Sequence, residues 1–271
     1  MLLRKITKHV TDQNWFAVFL DFLIVVLGIW VALMVGQWTQ GQKNQSELAR
    51  VKKEINDEIK PVYFYAYERL AFAPCRKARY KQLGEMLLNT EEKWPGAPGN
   101  YGDGTLTKHR VFPLVLRSPS RPWDSDEWDA ALSQGILDTM DSTKCGHLVQ
   151  HYNMTREINE IQYEIYIIES SMQTLFHPVE MTPSDRLRYY DVLTQADARS
   201  AKMELTAEQL IENIETNNLV VFSDEDRITI SAYLNERNSK RTEIYGDCSQ
   251  TVELPLLNKK DDTLLKSNES K

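Results

Sequence analysis

Much that would announce a chemistry is missing from this chain. Three cysteines in 271 residues are too few for a disulfide scaffold. Eleven glycines and ten prolines exclude a low-complexity chain. Positive charge is also short: 32 Lys and Arg against 39 Asp and Glu leave a net charge of −7, which argues against a nucleic-acid partner. No Gly-Lys-Ser/Thr follows the glycines of residues 91–124, so they form no phosphate loop, and no strand–Gly–helix context supports a dinucleotide fingerprint. No Gly-x-Ser-x-Gly elbow occurs. These gaps predict a protein without catalytic activity and without a cofactor. The length fits one or two domains with a sizeable core.

A long apolar run is present, and it is present once. From Trp15 to Trp38 the chain reads WFAVFLDFLIVVLGIWVALMVGQW, with Asp21 as its single charge. About 20 residues of helix cross the hydrocarbon core of a bilayer. Trp15 and Trp38 stand at the two ends, where amphipathic rings favour the headgroup layer. A cleaved signal peptide has a shorter apolar region and a small-residue cleavage site, and Met34-Val35-Gly36 is a poor one. The run therefore reads as an uncleaved transmembrane helix. Arg4, Lys5 and Lys8 on one flank nearly balance Lys43, Arg50, Lys52 and Lys53 on the other. Because long following domains are translocated regardless of charge, we expect a cytoplasmic N-terminus and an exported C-terminal domain.

Within the anchor, Gly28, Ala32 and Gly36 repeat every four residues, and Asp21 lies within about 20° of Gly28 on a helical wheel. Small residues at this spacing let helix backbones approach closely. A carboxyl at membrane depth faces protein or water rather than lipid. The stripe Asp21, Gly28, Ala32, Gly36 is thus expected to pack against a second copy or another membrane protein.

The stretch DFLIVVLGIWVALMVGQW, then QGQKNQSELARVKKEINDEI, resembles a set of uncharacterised bacterial single-pass membrane proteins, known as a domain of unknown function. In these an acidic residue opens a VVxGIxxAL-type anchor that closes on Trp, and a charged helix follows. EWDAALSQGILDTMD is similar to their soluble part. The resemblance implies a bacterial inner-membrane location with a periplasmic helical domain, and no activity.

The rest of the chain predicts an all-α fold. A flank, 1–14, precedes the anchor, 15–38. Juxtamembrane helices over 39–90 follow, where Ile55, Ile59, Val62, Ala66, Leu70 and Ala73 keep helical spacing. Pro61 and Pro74 are expected to kink or break them. Residues 91–124 read as a Pro/Gly-rich loop, with an extended piece near Arg110–Leu116. Residues 125–255 read as an antiparallel helical bundle and 256–271 as a disordered tail. In the bundle, Asp124 to Glu127 looks like a capping box. Met154, Ile158, Ile161, Ile165, Ile168, Met172 and Leu175 make a heptad-like, coiled-coil seam, expected to close within one chain. Thr182-Pro183 and Ser223 start further helices, the first with a break near Glu204–Thr206, and Gly246 ends the last.

Two clusters could carry chemistry. Cys75, Cys145 and Cys248 allow three pairings. An exported domain favours a disulfide, and Cys75–Cys248 would tie the first soluble helix to the chain end. Cys145, His147 and His151 form a weak metal-like group. His147 and His151 share a helix face, yet Leu148 stands where a zinc protease places its general base, so no metal is expected. The leading reading is a membrane-anchored scaffold, interaction or sensory protein. The alternatives are an accessory subunit of an ion-driven membrane complex using Asp21, and a metal enzyme at Cys145, His147 and His151.

Overall fold

The computed structural model describes residues 15–88, 93–96 and 118–259, and the expected extended piece near Arg110–Leu116 lies outside them. The described residues are almost entirely helical, with six α-helices: α1 (Trp15–Leu88), α2 (Asp126–Ser133), α3 (Ser142–Ser170), α4 (Pro183–Thr216), α5 (Asp224–Tyr245) and α6 (Pro255–Asn258). The all-α expectation is met. The chain divides into two compact units, Met1–Val51 and Lys52–Lys271.

In the first unit, α1 carries an N-terminal stretch that is long and apolar enough to cross a membrane. Every side chain from Val18 to Trp38 is exposed, including large apolar ones such as Phe22, Leu33 and Trp38. Leaving so much apolar surface bare would be costly in water, at roughly 25 cal/mol per Å².

The second unit holds the remainder of α1 together with α2 to α6. Helix α1 is continuous through Pro61 and Pro74, so neither proline breaks it, although each was expected to kink or break it. A proline inside a helix costs about 3 kcal/mol. Ile59, Val62 and Tyr63 beside Pro61, and Phe72 and Cys75 beside Pro74, are all buried. Burying each apolar side chain returns about 1.5–3 kcal/mol, so packing outweighs the two prolines. For the same reason the helical part of the bundle begins well before residue 125.

The heptad-like seam closes inside the chain. Met154, Ile158, Ile161 and Ile165 are buried on α3, which packs chiefly against α4. The helix itself stops at Ser170, so Met172 enters the core as the residue that precedes a 3₁₀ turn, Gln173–Phe176, and Leu175 from within that turn. Two short strands, β1 (Lys93–Trp94) and β2 (Val179–Glu180), pair antiparallel over this end. They place Trp94 in the core, where its Nε1 donates to the Leu175 carbonyl at 2.7 Å.

Helix α4 is unbroken across Glu204–Thr206, contrary to expectation, because Met203, Thr206 and Ala207 are buried against the bundle. It starts in a capping box formed by Thr182 and Asp185, and α5 in one formed by Ser223 and Asp226. Gly246 ends α5 at φ 105°, a conformation that favours glycine. The chain beyond Pro255 is not wholly tail: α6 buries Leu257. Residues 260–271 lie outside the described set.

Candidate functional site

The feature that distinguishes the bundle is ionised side chains at its core positions. On α1, Arg69 and Arg76 are each 2% exposed and follow Val62 and Ala66 in the same buried register. Tyr80 comes next, also buried. From α4, Glu204 meets Arg76 in a two-pronged pair, Nε to Oε1 at 2.8 Å and Nη2 to Oε2 at 3.2 Å. Asp197 joins the same guanidinium from the rim. From α3, Glu169 accepts a hydrogen bond from the Tyr80 hydroxyl. Arg69 completes the group, and its Nε has no hydrogen-bond partner among the described residues.

The electrostatics of this cluster follow from burial. Glu169 is held up at about 7: loss of water raises its pKa more than the Tyr80 hydroxyl, Arg69 and Arg76 lower it. Burial likewise pushes the Tyr80 phenol well up, and the adjoining Glu169 adds to that. Burial lowers Arg69, against the opposing pull of Glu204. Arg76 is raised: burial works against its charge, but Glu204 and Asp197 outweigh it. Leaving any of these charges without its partner would cost several kcal/mol, on the order of 3–5. Burial in this cluster therefore favours the neutral form of the Glu169 carboxyl well above the ordinary carboxylate range.

Further acidic side chains of the bundle, buried or half-buried, tie helices together. Glu58 accepts from the backbone N–H of Glu127 at 2.9 Å and from the Tyr152 hydroxyl at 2.6 Å. This corrects the expected capping box at Asp124–Glu127. Ser125 is the N-cap of α2 and makes no capping side-chain bond, so Glu58 from α1 satisfies the free amides instead. Glu215 accepts from both Tyr63 and Tyr67, at 2.6 and 2.7 Å. Glu68 and Arg121 form a two-pronged pair at 2.5 and 2.7 Å.

The residues singled out from sequence fall as follows. Asp21, Gly28, Ala32 and Gly36 are exposed on α1, and a Cβ at Gly28 or Gly36 would meet nothing within 4 Å. Cys75 and Cys248 are joined, with S–S 2.06 Å, and Cys145 is free. His151 is fully buried and packs against the Tyr152 ring edge at 4.9 Å between centroids. Among the described residues neither of its ring nitrogens has a hydrogen-bond partner, and burial lowers its pKa to about 3. His147 is half-buried, one turn away. Among the described residues no three His, Cys, Asp or Glu side chains are grouped to hold a metal ion, so Cys145, His147 and His151 do not assemble.

Arg69, Arg76, Glu169 and Glu204 were not singled out from sequence. Part of the signal was present: Glu169 sits four residues after Ile165, beside the seam residue Ile168, and Arg69 and Arg76 continue the spacing of Val62 and Ala66. Comparison with protein families, with characterised proteins and with solved structures finds no match to this chain.

Proposed function

We propose that this is a membrane-anchored helical protein of interaction or sensory type, with its bundle exported to the periplasm and no catalytic role. One observation carries the reading: a single helix, α1, supplies both a bare apolar stretch and the buried arginines of the bundle. A helix of that kind ties a bilayer segment covalently to a domain whose interior holds a buried ionic cluster. The Cys75–Cys248 disulfide supports an oxidising compartment. The stripe at Asp21, Gly28, Ala32 and Gly36 is exposed among the described residues, which supports association through the membrane segment.

The test is in-membrane crosslinking of the full chain carrying Gly28→Leu and Ala32→Leu. The crosslinked species should weaken, because leucine at these positions keeps two backbones apart. An unchanged pattern would overturn association through this face. The exposure of Asp21 on an otherwise apolar surface favours a second reading, as an accessory subunit of an ion-driven complex. Asp21→Asn abolishes function in that case and leaves it intact in the first.

A further inference from the structure

The bundle contains a pocket of about 260 Å³ that the ionic cluster does not use. Its floor is apolar: Ile55, Met140, Leu148 and Leu219 are all buried side chains. Its rim is basic: Lys52, Lys53 and Lys144 line it, and all three are exposed. Among the described residues none of the three has an ion-pair partner. Lys60, Lys77, Lys81, Lys202 and Lys240 all do. In a chain of net charge −7, Lys52, Lys53 and Lys144 gather three positive charges around one apolar hollow.

The hollow is also well built. Asn56 donates to the Val221 carbonyl at 3.1 Å and accepts from its N–H at 2.7 Å, which fixes the α4–α5 connection against α1. Asn218, at φ 47°, ends α4, and the Leu219 N–H reaches back to the Ile214 carbonyl at 3.0 Å. These bonds hold Leu219 in the floor. The apolar floor offers water no hydrogen-bond partner, while Asn56 and Asn218 add polar groups to the lining beside the lysines. An apolar cavity of about 150 Å³ already binds small hydrocarbons, and this one is larger.

We propose that this pocket binds an amphiphilic anion, with a carboxylate or phosphate head among Lys52, Lys53 and Lys144 and an alkyl chain on the floor. Lysine ammoniums act as point charges without the planar fork of arginine, so the head is selected by charge rather than by shape. At ~30 Å³ per water-sized group the pocket takes about eight such groups. That is a head and a short alkyl segment, and a longer chain leaves by the open side. Met140 adapts its unbranched side chain to the bound alkyl group. Either a free fatty acid or the head of an anionic lipid has this chemistry. The proposal concerns the helical domain and does not depend on what the membrane helix binds.

The test uses the full chain in phosphatidylcholine nanodiscs and decanoate carrying a terminal diazirine. After illumination, mass spectrometry should find the label on peptides bearing Met140, Leu148 or Leu219. Excess unlabelled decanoate should remove it, and the matching alcohol should label weakly. Lys52→Gln, Lys53→Gln and Lys144→Gln together should cut labelling at least about tenfold, the scale of a lost charge-assisted contact. Lys81→Gln, Lys93→Gln and Lys259→Gln, an equal change of charge elsewhere, should leave it unchanged. Discs of phosphatidylglycerol separate the sources: suppressed labelling identifies a lipid head, and persistent labelling a free amphiphile. Label confined to residues 15–38, or equal labelling by the alcohol or in the first triple variant, overturns the proposal.

Discussion

Glu169 and His151 are both buried, and they bend the pH dependence of stability in opposite directions. Glu169 sits at about 7 in the folded chain against an ordinary 4.5. Between those values the folded state keeps a proton that the unfolded state releases, so stability falls as pH rises. His151 is lowered by burial from 6.5 to about 3. Between those values the folded state refuses a proton that the unfolded state takes, so stability falls as pH falls. Going from about pH 7.5 to about pH 5, Glu169 adds about 2 kcal/mol and His151 removes about 2 kcal/mol. In the natural chain the two cancel, and each should show only when the other is gone. Glu169→Gln should make the protein about 2 kcal/mol less stable on acidification than the parent; His151→Leu should make it about 2 kcal/mol more stable. The assay is urea unfolding of the full chain in detergent, followed by fluorescence of the buried Trp94, Trp123 and Trp128. With a slope of about 1–3 kcal/mol per molar, each variant moves its midpoint by roughly 1 M between the two pH values, in opposite senses. Other carboxylates titrate equally in all three proteins and drop out of the comparison. If both variants keep the parent's pH dependence, the buried charges do not behave as argued.

Other consequences follow from the same structure. Reducing Cys75–Cys248, which spans 173 residues, should destabilise the bundle by about 5 kcal/mol in the loop-entropy account, and an unchanged urea midpoint with reductant would contradict it. Glu58→Ala strands the Tyr152 hydroxyl and the first amides of α2, at a cost of about 1–3 kcal/mol. Limited proteolysis should then cut faster within residues 118–141. Glu215→Leu removes the shared acceptor of Tyr63 and Tyr67. The Tyr67 hydroxyl, now pushed up to about 12 by burial and then by Glu215, should ionise at lower pH in a spectrophotometric titration, with the burial part of the shift retained.

What the sequence by itself determined is whatever depends on neighbours along the chain. A run of 24 residues with one charge, Trp15 to Trp38, has a single way to hide its backbone polar groups in an apolar phase, and that is a helix. The Thr182-Pro183 and Ser223 starts are local hydrogen-bond chemistry, and the seam from Met154 to Ile165 is a local period. Pro61 and Pro74 were misjudged because the local cost is legible and the packing that outweighs it is not. The cap of α2 was misplaced for a like reason, since Glu58 lies 69 residues before the amide it accepts from. The ionic cluster shows the limit most clearly. Arg69 and Arg76 keep the apolar spacing and Glu169 borders the seam, but a charge at such a position reads as solvated until the docking of α1, α3 and α4 takes its water away. Burial is a property of the assembled bundle, so a carboxyl held near 7 and an imidazole near 3 are decided there and nowhere in the chain alone.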